Sequence, residues 1–95
     1  MSASRGERQS ILHLTLMRKY FAQIAAGTKS EEYRDLTDYW KRRLEGRRYE
    51  LVRFRNGYAA GSPEMDVEFL GVEKRPDCYA IRLGKILRLE HWPPQ

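Results

Sequence analysis

The chain has 95 residues with 18 Lys and Arg against 13 Asp and Glu, a formal net charge of +5, and 41% of its residues are hydrophobic. A chain of that length supports one core, burying roughly 60–70% of its unfolded surface, and that composition excludes a disordered polymer. No run of 18 apolar residues occurs, residues 1–10 hold no apolar signal segment, and one cysteine excludes an internal disulfide or a multi-cysteine zinc site, so a cytoplasmic protein without a membrane partner is expected.

In ILHLTL (11–16), Leu12, Leu14 and Leu16 alternate with His13 and Thr15, the period-two pattern of a half-buried strand. His13 falls on the polar face with no second histidine near it, which fits a solvated strand residue better than a metal ligand. MRKYFAQIAAG (17–27) changes to helical spacing, with Met17, Tyr20, Phe21 and Ile24 on one face and Gly27 suited to a left-handed stop. KSEEYRD (29–35) follows that turn and predicts a short polar strand. DLTDYWKRRLEG (35–46) predicts a second helix, with Asp35 as N-cap, Leu36, Tyr39, Trp40 and Leu44 as its buried stripe, and Gly46 as its stop.

YELVRFR (49–55) has strand character, with Leu51 in one register and Val52 and Phe54 in the other. NGYAAGSP (56–63) is a loop. In MDVEFLGVE (65–73), Met65, Val67 and Phe69 point inward against Asp66 and Glu68, and the pattern slips near Leu70 and Gly71, as at a bulge. CYAIRL (78–83) and KILRLE (85–90) predict two more strands separated by Gly84, with Cys78 a small buried strand residue. Several short strands with two early helices indicate an α+β fold, a small mixed β-barrel of five or six strands whose helices plug or flank its mouth. The domain is expected to span residues 11–92, between a flexible tail over 1–10 and a C-terminal tail over 93–95, and to be monomeric by default.

Charge is unevenly placed. Residues 40–55, WKRRLEGRRYELVRFR, hold seven Lys and Arg against two Glu, which accounts for the whole net charge. A mixed polar face is the ordinary explanation of charge, but this concentration is the footprint of a polyanion-binding surface. Arg42, Arg43, Arg53 and Arg55 are candidate phosphate contacts, and Tyr39, Trp40, Tyr49 and Tyr58 interleave with them as candidate base-stacking rings. Helical spacing assigns Tyr39 and Trp40 to the core, whereas Tyr58, in a loop after Asn56 and Gly57, has no periodic reason to be buried.

A second concentration lies at Gly27-Thr28-Lys29-Ser30-Glu31-Glu32-Tyr33-Arg34, which resembles the G-x-K-x-x-E-x-R motif of the ASCH domain family. The resemblance runs over residues 11–90: LHLTL, a helix ending in glycine, the motif, an aromatic-basic helix, VRFRNGY and IRLGKIL stand in the order typical of small bacterial members. It implies a PUA-like β-barrel with a cleft beside the helices that meets RNA or a nucleotide-like ligand. The family is associated with RNA binding, single-strand ribonuclease activity and amide hydrolysis of acetylated cytidine. In its hydrolases a threonine stands where this chain has Glu32, Lys29 matches their lysine, and a later catalytic glutamate in an inserted helix has no counterpart here.

Lys29 and Glu32 would face opposite sides of a regular strand and converge only if Lys29 lies in the turn before it. Converged, Lys29 is a candidate to polarise a carbonyl or phosphoryl oxygen and Glu32 to position a water, with Arg34 offering a planar fork to phosphate. The structural alternative is an ion-pair lattice closing the barrel. The sequence therefore predicts an RNA-binding module with Lys29, Glu32, Arg34, Arg53, Arg55 and Tyr58 at one cleft, flanked by Arg42 and Arg43. The alternatives are an enzyme with Lys29 and Glu32 as catalytic residues and an adaptor for an acidic protein. No cofactor or metal site is expected; a divalent cation enters only with the ribonuclease alternative, and the spacing of Glu32 and Glu68 gives no support for one.

Overall fold

Alternation places Leu12 and Leu14 in the core from β1 (Ile11–Thr15), leaving His13 exposed. The computed structural model describes residues 10–94, so the tail expected over residues 1–10 lies outside the described residues except for Ser10, as does Gln95 of the C-terminal tail. Ser10 is not a tail residue: its carbonyl accepts from Glu50 N (2.9 Å) and its hydroxyl donates to Arg48 O (3.2 Å).

Helix α1 (Arg18–Ala25) buries Phe21 and Ile24. Met17 stands one position outside it, 68% exposed, and Tyr20 is at the edge of the face, so the apolar stripe is narrower than its spacing predicts. Gly27 at φ 80° turns the chain into β2 (Glu31–Arg34). Helix α2 (Asp38–Leu44) is capped by Thr37, whose side chain accepts from Trp40 N, and not by Asp35. The segment offers two capping side chains two residues apart, and the later start leaves Leu36 and Tyr39 exposed, with Trp40 and Leu44, one turn apart, facing the core.

β3 (Leu51–Arg55), β4 (Glu64–Lys74) and β5 (Tyr79–Glu90) form an antiparallel meander; β1 joins it parallel to β3 and β2 antiparallel to β5, giving the order β1-β3-β4-β5-β2. The result is an α+β domain of two helices and a five-stranded curled mixed sheet, a half-barrel. The two strands expected on either side of Gly84 are one continuous strand, β5. Glycine there sits under the Glu68 side chain of β4, whose carboxylate a Cβ would displace. The slip expected near Leu70 and Gly71 is present as a register shift between Phe69 and Gly71. Cys78 is half-buried and precedes β5, its carbonyl accepting from Arg75 N in the turn.

The core lies between the inner face of the sheet and the two helices, where Leu14, Phe54, Met65, Val67 and Ile81 meet Phe21, Ile24 and Leu44. Burying a side chain such as Phe54 contributes roughly 1.5–3 kcal/mol, against about 0–1 kcal/mol for an exposed ion pair, so this inner layer dominates stability. Tyr79 ties the second helix to the sheet by donating to Glu45 Oε2 (2.6 Å); that hydrogen bond pushes the phenol up to about 12 and draws the Glu45 carboxyl down. Among the described residues no helix is long and apolar enough to cross a membrane.

Candidate functional site

Lys29 lies in the turn between Gly27 and β2, which meets the condition for convergence: its Nζ is 3.4 Å from Glu32 Oε1. Arg34 Nη1 donates to the other carboxylate oxygen, Glu32 Oε2. Glu32 pairs across the sheet with Ile81 and Arg34 with Tyr79, both core residues, so the motif's carboxylate and guanidinium project to the inner face. All three side chains are largely buried. Lys29 Nζ also stands 4.6 Å from the ring centre of Tyr33 and 5.4 Å from that of Tyr20, and Arg34 lies over Trp40 at 5.3 Å.

Arg34 does one thing more: its Nη2 donates to Thr15 O at the end of β1 (3.2 Å). Because β1 and β2 are the two outer strands of the sheet, this guanidinium bridges the open seam of the half-barrel. Glu31, on the opposite face from Glu32, receives both terminal nitrogens of Arg75 (3.1 and 2.8 Å) and the Tyr33 hydroxyl, which lowers its carboxyl and raises the phenol. A groove of about 380 Å³ beside the motif is walled by Gln23, Thr28, Lys29, Ser30, Glu31 and Tyr33; Glu32 and Arg34 are not among its walls.

Arg53 and Arg55 are elsewhere. Arg53 sits between the buried Val52 and Phe54 and pairs with Asp66, which pairs in turn with Arg88, so these three form a row on the outer face. Arg53 donates to Asp66 through Nε and Nη2 (2.7 and 2.9 Å), and Arg88 through Nε and Nη2 (3.0 and 3.1 Å). Asp66 was expected to point to solvent; it does face outward, but the two arginines cover it. Burial alone would raise its carboxyl, and the four hydrogen bonds outweigh that and hold it at about 2. Arg55 Nε lies 3.5 Å from Glu64 Oε2. Arg53, Arg55 and Arg88 are therefore engaged by carboxylates, and Tyr58 stands apart on its loop, 81% exposed. The expected single cleft divides into an inner seam, an outer lattice and a lone loop aromatic.

Four arginines at the end of α2 and the start of β3 behave differently. Arg42, Arg43, Arg47 and Arg48 pair with no carboxylate among the described residues. Two grooves run between them. The first, about 350 Å³, is lined by Tyr39, Arg42, Arg43, Arg47 and Tyr49. The second, about 320 Å³, is lined by Arg47, Arg48, Tyr49, Phe69, Leu70 and Gly71. They share Arg47 and Tyr49 and so form one strip along the end of α2 and the start of β3. Tyr49 donates its hydroxyl to Arg43 O (2.6 Å), Arg47 Nε donates to Arg42 O (3.2 Å), and Arg43 stacks on Tyr39 (4.5 Å). Basic groups in the last helical turn suit the negative helix end, and no carboxylate among the described residues lies in salt-bridge range of Arg42 or Arg43.

Arg47 and Arg48 belong to the basic run visible in the sequence; Phe69 and Leu70 had no sequence signal as site residues, since their approach to Tyr49 depends on the pairing of β3 with β4. No group of three or more His, Cys, Asp or Glu suited to hold a metal occurs among the described residues. Neither a known protein family, nor a curated protein, nor a solved structure matches the chain.

Proposed function

We propose that this domain binds RNA through the strip formed by Arg42, Arg43, Arg47 and Arg48, as a PUA-like module of the ASCH type acting in RNA processing or metabolism. The observation that carries the reading is the grouping of the cations: Arg34, Arg53, Arg55 and Arg88 of the sheet are held by carboxylates, whereas these four arginines, which pair with no carboxylate among the described residues, line contiguous grooves with Tyr39 and Tyr49. Uncompensated guanidinium groups are what a phosphate backbone requires, and two fixed tyrosines supply rings beside them.

The test is the salt dependence of affinity for an RNA oligonucleotide. Four phosphate contacts give a log-log slope of about −3, from about −0.7 per contact. Replacing Arg42, Arg43, Arg47 and Arg48 together by Gln is expected to flatten it. A slope unchanged by the substitutions would move the binding face elsewhere, and absence of RNA binding at low salt would remove the reading. Turnover of RNA or of an acylated nucleoside by the purified protein, with or without a divalent cation, would favour the enzyme built on Lys29 and Glu32; binding to an acidic protein without affinity for RNA would favour the adaptor.

A further inference from the structure

The two grooves of the basic strip differ in chemistry although they share a wall. The first is lined by three arginines and two tyrosines and suits phosphate. The second sets Arg47 and Arg48 against an apolar side made by Phe69 and Leu70. Leu70 is 52% exposed within a strand, because the register shift between Phe69 and Gly71 leaves it without a partner across the sheet. Gly71 adds no side chain, and a Cβ there would meet nothing within 4 Å, so the space above it is open. The wall is fixed: Tyr49 stands edge-on to Phe69 at 5.4 Å and is held at its hydroxyl by Arg43 O. At about 320 Å³ the groove is near the lower bound of roughly 300–1,000 Å³ for small-ligand sites.

We propose that this second groove is a nucleobase seat, which takes one unstacked base of a single strand whose flanking phosphates are held by the arginines of the strip. The proposal rests on the RNA-binding reading and narrows it. A base in a duplex is stacked and paired and cannot enter such a groove, whereas a splayed base presents an apolar face to Leu70 and Phe69 and its edge to Arg47 or Arg48. The charge around the groove commits the occupant: an apolar peptide would leave both guanidinium groups uncompensated, and a phosphodiester supplies their counter-charge.

Fluorescence anisotropy at low salt decides it with three probes: a labelled single-stranded uridine decamer, the same decamer annealed to its complement, and an abasic decamer with the same number of phosphates. The single strand is expected to bind about tenfold or more tightly than either of the others, the usual worth of one stacked base. Leu70→Ser, at an exposed position where the fold is retained as checked by thermal melting, is expected to remove that preference and leave affinity for the abasic strand unchanged. Equal affinity for all three probes, still lost when the four arginines are replaced by Gln, would overturn the seat and leave RNA binding standing. Failure of every probe to bind would overturn both.

Discussion

Asp66→Asn is expected to destabilise the domain by about 3 kcal/mol, because it leaves the partly buried Arg53 guanidinium without its carboxylate and Arg88 with only Glu64 and Glu90. The carboxylate is buried, accepts four charge-assisted hydrogen bonds from Arg53 and Arg88, and sits in the middle of three adjacent strands. For a chain of this size the loss corresponds to a fall in Tm of roughly 12–24 °C, a large share of a typical stability of about 5–15 kcal/mol. The pH dependence identifies the cause. The folded carboxyl titrates at about 2 against an ordinary 3.8, so its stabilisation, about 2 kcal/mol, is present above pH ~4 and is lost as pH falls toward ~2. Wild type and variant should therefore converge in acid, as followed by denaturant titration across that window. A gap that stays constant down to pH ~2 would show that the ion pairs are not its source.

Glu32→Gln is expected to weaken the fold by about 2–4 kcal/mol, comparable to breaking a buried pair. Its carboxylate receives Lys29 and Arg34, and both cations are more than four-fifths buried. Replacing Lys29 and Arg34 by Met in the Glu32→Gln background should recover part of the loss, since the uncompensated charges go with them. Denaturant unfolding of the single and triple variants measures both. If Glu32→Gln unfolds at the wild-type midpoint, the cluster does not hold the barrel together, and the assignment of Glu32 as a water-positioning base gains: such a base is worth roughly 10²–10⁴-fold in turnover, with affinity kept.

Much of the local structure was legible from residue periods and much of the site was not. Leu12, Leu14 and Leu16 announced β1, and Phe21 with Ile24 and the Gly27 stop announced α1, because these signals are carried by neighbours in sequence. The motif's convergence was readable as a condition on Lys29, since the reach from a turn into a strand is local too. Arg53 and Arg55 illustrate the limit. A charge count along the chain placed them in the binding run, but Asp66 and Glu64, which engage them, arrive from another strand. Gly84 was misread for a similar reason: glycine commonly punctuates strands, and here it lies inside one, under the side chain of Glu68, whose position only the pairing of β4 with β5 reveals. Thr37 prevailed over Asp35 as the cap of α2 in a segment where both side chain types are competent.

The strand order carries a kinetic consequence. β3, β4 and β5 are consecutive antiparallel strands joined by short connections, so their contacts close small loops. β1 reaches β3 only after two helices and β2 have intervened, and β2 reaches β5 from the far end of the meander. Loop-closure entropy favours the local pairings early and delays the distant ones. The meander is therefore expected to nucleate folding and the two outer strands to dock afterwards, with the Arg34 bridge to Thr15 among the last contacts to form. Chevron measurements should give Val67→Ala in β4 a φ-value well above that of Leu14→Ala in β1, so that loss of a β1 contact speeds unfolding and scarcely slows folding.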